Sequence, residues 1–203
     1  DSFPDKSIFI WAMLAALLSA ALWVNLATLI GAPVSTTHSI VGGVMGAGIA
    51  AAGFVAVDWI VMSKIAASWI ISPVLGGVIA AAFLAFIKFA ILYREDKITA
   101  AKRWVPVLVA IMASVFAMYL VMKGLKRIWK PDTEMILLIG AIAFLSTYLL
   151  VKSAVAKAAV NLENRRRSVG DLFTIPLICA ACLLSFAHGS NDVANAVGPL
   201  AAI

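Results

Sequence analysis

The sequence predicts an all-α, polytopic membrane protein, and three observations carry the prediction. Of 203 residues, 64% are apolar, with a mean hydropathy of +1.04, whereas soluble domains are about 45–50% apolar. Several apolar runs approach or exceed the ~20 residues a helix needs to cross a bilayer, and none shows the two-residue alternation of a barrel strand. Two polar islands, residues 31–39 and 185–198, interrupt these runs. Helix ends at membrane depth persist only where protein or a cavity covers their unpaired backbone groups. Discontinuous or re-entrant helices are therefore expected.

Residues 1–7 form a polar surface segment and residues 8–30 a first span. Asn25 and Thr28, near its end, either line a cavity with the hydroxyls that follow or hydrogen-bond to a neighbouring helix. Pro33 suits the first position of a helix, and Ser35, Thr36 and Thr37 cap free N–H groups. The body of that helix, residues 40–54, carries Gly42, Gly43, Gly46 and Gly48, with Gly42 and Gly46 at the spacing that lets helices approach in lipid. Asp58, Trp59 and Lys64 mark residues 55–64 as an interfacial turn or short helix. Residues 65–93 form a long span, with Pro73 as a kink point, Gly76-Gly77 as a packing point and Lys88 snorkelling to the headgroups.

Residues 94–103 are a charged connection, 104–122 a span, and 123–134 a second connection. In the latter, Lys126-Arg127-Ile128-Trp129-Lys130 fits a juxtamembrane anchor better than a nucleic-acid site. Residues 135–151 span again, continued by the alanine-rich stretch to 160, and from residue 172 the chain re-enters the membrane. Cys179 and Cys182 lie in an apolar helical run and read as small buried residues rather than a redox pair. A zinc site joining them to His188 lacks a fourth ligand and the usual spacing. The net charge of +6 sits mostly in the connections, which excludes nucleic acid as a partner and points to lipid headgroups. Residues 94–103 and 152–167 share one side with nine Lys/Arg, against four in 123–130, so the nine-charge side is cytoplasmic. No basic leader precedes the first span, so no signal peptide is expected. The start without Met and the apolar end suggest a longer parent.

The first island combines a helix N-terminus with the hydroxyls of Ser35, Thr36, Thr37 and Ser39, which together favour an anion. A surface cap that binds nothing is the competing reading. In the second island, Asp192 has no Lys or Arg within ten residues on either side. An unpaired carboxylate at the bilayer centre costs at least ~2.5–3.5 kcal/mol, so it implies function. Asn191, Asp192 and Asn195 offer hard oxygens suited to Na⁺, and the carboxylate alone can carry a proton. The competing reading is an Asp bonded to a neighbouring helix end. His38 and His188 either shuttle protons or fix helix ends. A hydrolase using Ser35 or Ser190 needs a nucleophile–base–carboxylate contact. Ser190 sits two residues from both His188 and Asp192 and so points to a different side of a helix from them, and no enzyme is expected.

Together the islands resemble those of the inorganic phosphate transporter (Pit) family, which also contains sulfate permeases. In that family P-V-S-T-T-H-S and G-A-N-D-V-A-N-A motifs each occur once in two inverted repeats. Residues 33–39 match the first fully, and residues 189–196 match the second with Ser190 in place of Ala. The resemblance implies a secondary active transporter that moves inorganic phosphate by alternating access, built from inverted repeats. Ser35, Thr36, Thr37 and Ser39 would hold phosphate, and Asn191, Asp192 and Asn195 the coupling cation, Na⁺ or H⁺. His38, His188 and Ser190 would support them. No organic cofactor and no metal beyond Na⁺ is implied. Residues 1–160 would be the C-terminal part of the first repeat with its following spans, 161–171 a basic cytoplasmic linker, and 172–203 the start of the second repeat. The other copy of each motif is absent from this sequence. The expected partners are phosphate, the cation and membrane lipid in a bacterial inner membrane, with a homo-oligomer left open. Sulfate is the alternative substrate. It has no proton to offer an acceptor carboxylate near neutral pH, which favours phosphate.

Overall fold

The polar segment gives way to helix at Asp5, whose extended backbone precedes α1, Lys6–Leu29. In the computed structural model, residues 5–124 and 131–203 are described. They fall into two units, Asp1–Leu75 with Ser185–Ile203, and Gly76–Leu184. The Lys126–Lys130 anchor lies outside the described residues.

In the first unit, α1 ends in a motif that needs a left-handed residue, and Gly31 at φ 70° provides it. The Ala32 N–H reaches Ala27 O (2.8 Å) and the Gly31 N–H reaches Thr28 O (3.2 Å), pairing carbonyls the helix would otherwise leave open. Ser35 is extended (φ −89°, ψ 125°) and caps α2, Thr36–Ala52, which Gly53 closes at φ 75°. At about 26 Å, α2 is a little shorter than the ~30 Å hydrocarbon core. It folds back on α1 as an antiparallel hairpin. The close approach is at Gly43, where a Cβ would stand 2.7 Å from Ala16 O. Gly42 and Gly46 have nothing within 4 Å, so the small-residue pair expected to pack is not the one used. Asn25 and Thr28 bond to Ala21 O and Val24 O of their own helix, and no described hydrogen bond carries either to a neighbouring helix. Carbonyls one turn back were the nearest acceptors.

A short 3₁₀ turn, Phe54–Ala56, leads to α3, Trp59–Ile87. Asp58 Oδ1 accepts from the N–H groups of Ile60 and Val61 (both 3.0 Å). This cap starts the helix at Trp59, so residues 59–64 belong to the long α3 rather than to the interfacial turn or short helix expected. Pro73 lies within α3, and Gly76 and Gly77 face open space instead of a packing partner. No residue of α3 is buried, as expected for an apolar helix facing outward. A π-helical turn, Lys88–Leu92, finishes it.

In the second unit, Asp96 accepts from the Thr99 N–H (2.9 Å) and starts α4, Lys97–Tyr119, followed by the π turn Leu120–Gly124. Most of the charged connection expected at 94–103 is thus helical. Hydrogen bonds from Thr99 hold the Asp96 carboxyl below its ordinary pKa. Asp132 caps α5, Thr133–Ala158, through the Met135 N–H (2.9 Å). Helices α4 and α5 run antiparallel, with Ser114 Oγ donating to Gly140 O (2.8 Å). A Cβ on Gly140 would meet Met118 Sδ at 2.8 Å. At the charged end, Ile91, Ile98, Ala101, Val105, Val155, Ala159, Val169 and Leu172 form a buried core. There Asn164 donates to Glu95 O (2.6 Å) and accepts from the Lys97 N–H (2.8 Å). The two basic connections therefore meet on one side, as span alternation requires.

Helix α6, Arg166–Ala201, begins inside the segment expected as linker and passes unbroken through the second island. Cys179 and Cys182 are free and exposed, not buried, because no described element covers that face of α6. Among the described residues, five helices are long and apolar enough to cross a membrane. The chain is a multi-pass integral membrane protein.

Candidate functional site at the meeting of two polar islands

The first unit brings the N-terminus of α2 against the last third of α6. Thr36 Oγ1 donates to Asp192 Oδ1 at 2.6 Å. Asn191 and Asn195, one helical turn apart, both donate through Nδ2 to Thr37 Oγ1, at 3.0 and 2.8 Å. Successive α2 residues thus engage one face of α6. The i,i+4 spacing of the two asparagines aligns them on Thr37, and Asp192 reaches Thr36 beside them.

Within α2, Ser35 Oγ accepts from the His38 N–H (3.3 Å), and Ser39 Oγ donates to Ser35 O (2.8 Å). The Thr36 and Thr37 N–H groups, in the first turn, have no intrahelical acceptor. His38 sets its ring edge-on to Trp69, with centroids 4.1 Å apart. Its side chain packs on an indole, while only its backbone takes part in the helix end. On α6, His188 Nε2 stands 3.4 Å from Asp192 Oδ2, with side chains 72% and 36% exposed. His188 is in the helix body, so it does not fix a helix end. Ser190 is exposed on the same helix, and no described hydrogen bond engages its hydroxyl.

Asp192 is therefore flanked by a hydroxyl and an imidazole, with no Lys or Arg pairing to it among the described residues. More than a third of its side chain is open to a ligand. Asn195 also forms part of the wall of a mostly apolar cavity of about 570 Å³, with Met13, Ile40 and Met45. Sequence reasoning found every polar member of this cluster but not Trp69, which lies in a long, largely apolar helix whose pattern marks no packing face.

The Phosphate transporter family matches residues 1–203. A Helicobacter pylori protein provisionally named a phosphate permease is 58% identical over 98% of this chain and 37% of its own length. A Pyrococcus abyssi protein, likewise provisionally named, is 35% identical over 98% of this chain and 48% of its own length. A solved structure described as the sodium-dependent phosphate transporter matches with a TM-score of 0.89 and 36% identity, over 97% of this chain and 48% of that one. The chain thus spans half or less of the length of these relatives. Matched from its first residue to its last and sharing the fold of a solved relative, this chain belongs to the Phosphate transporter family, a family of transporters and not of enzymes.

Proposed function

We propose that the α2–α6 cluster contributes to the substrate site of a secondary active phosphate transporter in which a cation, Na⁺ by preference, shares the site with the anion. The supporting observation is the cross-helix bonding of Thr36 and Thr37 to Asp192, Asn191 and Asn195. Thr37 Oγ1 uses its acceptor capacity on two amides, so its own O–H remains to donate. That donor, the N–H groups of Thr36 and Thr37, and the Ser35 hydroxyl would meet phosphate at the positive end of the α2 dipole. Ser39 spends its donor on Ser35 O and would contribute less. The amide carbonyls of Asn191 and Asn195, with the Asp192 carboxylate, supply hard oxygens for the cation.

Opposite charges about 4 Å apart attract by about 4 kcal/mol at an effective dielectric near 20. Cation and phosphate on adjoining groups would therefore raise each other's affinity, a reciprocal coupling. The site is then favoured empty or fully loaded, which alternating access needs for a symporter. The sodium named for the solved relative supports Na⁺ over H⁺. Phosphate is preferred over sulfate because it retains a proton to donate near neutral pH. We assign residues 1–160 to the end of one inverted repeat, 161–171 to a cytoplasmic linker and 172–203 to the start of the next, in a plasma membrane.

The test is uptake of radiolabelled phosphate and sulfate by the full-length protein in proteoliposomes, under imposed Na⁺ or pH gradients. Phosphate accumulation driven by Na⁺ is expected. Accumulation driven by pH alone moves the coupling to H⁺, and sulfate outcompeting phosphate overturns the substrate.

A further inference from the structure

Where the π turn closing α3 meets the first turns of α4, an open groove of about 740 Å³ is lined by Tyr93, Arg94, Glu95, Asp96, Arg103 and Trp104, among others. It belongs to the second unit, shares no residue with the α2–α6 cluster and does not depend on the transport reading. The apolar runs of both helices stop here, which places the groove at headgroup level, where Trp and Tyr collect. The Arg103 guanidinium lies 5.5 Å from the Trp104 ring centroid. Among the described residues, none of the four charged groups is ion-paired, although they sit side by side. Asp96 is turned to the Thr99 N–H.

Two guanidinium and two carboxylate groups leave the lining with no net charge. The Lys102 ammonium acts on Asp96 as well, which leaves Glu95 as the carboxylate facing the two guanidinium groups, and a zwitterion can satisfy both signs. We propose that this groove is a binding site for a phospholipid with a phosphoethanolamine headgroup. The phosphodiester accepts from Arg94 and Arg103, whose planar forks suit phosphate. The primary ammonium donates to Glu95. The glycerol and acyl chains leave past Ala100 and Trp104 into the bilayer. A choline headgroup has no N–H to donate to Glu95, and a phosphatidylglycerol has no cation to place there.

The experiment measures lipid retention by native mass spectrometry of the full-length protein exchanged into phosphatidylethanolamine, phosphatidylcholine or phosphatidylglycerol, with free phosphoethanolamine as a competitor. Wild type should retain phosphatidylethanolamine over the other two by about three- to tenfold, in line with charge-assisted bonds in a solvent-facing groove. Glu95→Gln should abolish the preference over phosphatidylcholine while leaving phosphatidylglycerol retention unchanged. The pair Arg94→Gln with Arg103→Gln should lower retention of all three. These side chains are exposed, and unchanged helicity by circular dichroism confirms folding of each variant. Equal retention of the three lipids by wild type, or an intact ethanolamine preference in Glu95→Gln, overturns the proposal. Displacement by free phosphoethanolamine at equal concentration overturns the lipid as occupant.

Discussion

Thr36 Oγ1 and Asp192 Oδ1 lie 2.6 Å apart although 156 positions separate them in the chain. A hydroxyl-to-carboxylate bond of this length is charge-assisted and among the stronger ones in proteins. It fastens the N-terminus of α2 to the island of α6. The hydroxyl of Thr36 is thereby oriented toward the carboxylate, while Thr37, beside it, keeps its donor for another acceptor. Two adjacent threonines thus acquire different tasks from the same turn of helix.

The packing that presents this turn rests on Gly43. Gly43→Ala would place a methyl 2.7 Å from the Ala16 carbonyl oxygen, a backbone atom that cannot swing away. Overpacking of this kind typically costs about 1–3 kcal/mol. Gly42→Ala meets nothing within 4 Å and gains helix propensity, so it should be neutral or stabilising. Unfolding of the two variants in a denaturing detergent titration separates them. A larger loss from Gly42→Ala than from Gly43→Ala would contradict the α1–α2 contact.

Local chemistry was legible before the structure: Ser35 as cap, Asn191 and Asn195 on one face, and the end of α1 before Pro33 all follow from spacings of a few residues. The choice of Gly43 over Gly42 and Gly46 was not, because a helix that is small on every side offers no face to read. Nor was the start of α4 at Lys97, since Asp96 and Thr99 sit among charges that resemble a loop by composition. The bonds joining residues 36 and 37 to 191, 192 and 195 depend on long-range packing, to which periodicity is blind. The exposure of Cys179 and Cys182 escaped for a related reason. An apolar residue in a membrane helix faces lipid as readily as protein.

Asp96 offers a pH-dependent helix start. Its carboxyl is held below its ordinary pKa by the Thr99 N–H and hydroxyl. The folded value is depressed, so the stabilisation is complete above the ordinary carboxylate range and is lost as pH falls through the lowered folded value. The protection of the Thr99 and Ala100 amides against hydrogen exchange, taken relative to the intrinsic rate at each pH, should fall on acidification across that window. Asp96→Asn retains a capping oxygen that does not titrate, and its exchange should lack this step. Asp96→Ala should exchange fast at every pH. A step of equal size in Asp96→Asn would assign the effect to another group.

The coupling role of Asp192 is tested by pairing it with Thr36. Asp192→Asn keeps the shape and an oxygen that can still accept from Thr36, but removes the negative charge. If the carboxylate holds the cation, uphill phosphate accumulation should fail, while downhill exchange persists on the hydroxyls and N–H groups of α2. Thr36→Val keeps the charge of Asp192 and removes the hydroxyl that orients it. A lost hydrogen bond to a charged group is worth about 1.5–3 kcal/mol. Thr36→Val should therefore shift the cation dependence by roughly ten- to a hundredfold while some accumulation remains. A purely structural aspartate predicts something different, namely less folded protein in both variants and the same cation curve in whatever transport survives. The measurement is uptake against Na⁺ concentration and pH for wild type, each single variant and the double variant, normalised to inserted protein. In the double variant, Thr36→Val should add little to Asp192→Asn, because the interaction it removes has already lost its charged partner. Full additivity of the two substitutions, with the cation curve unmoved in each, would falsify the coupling assigned to this pair.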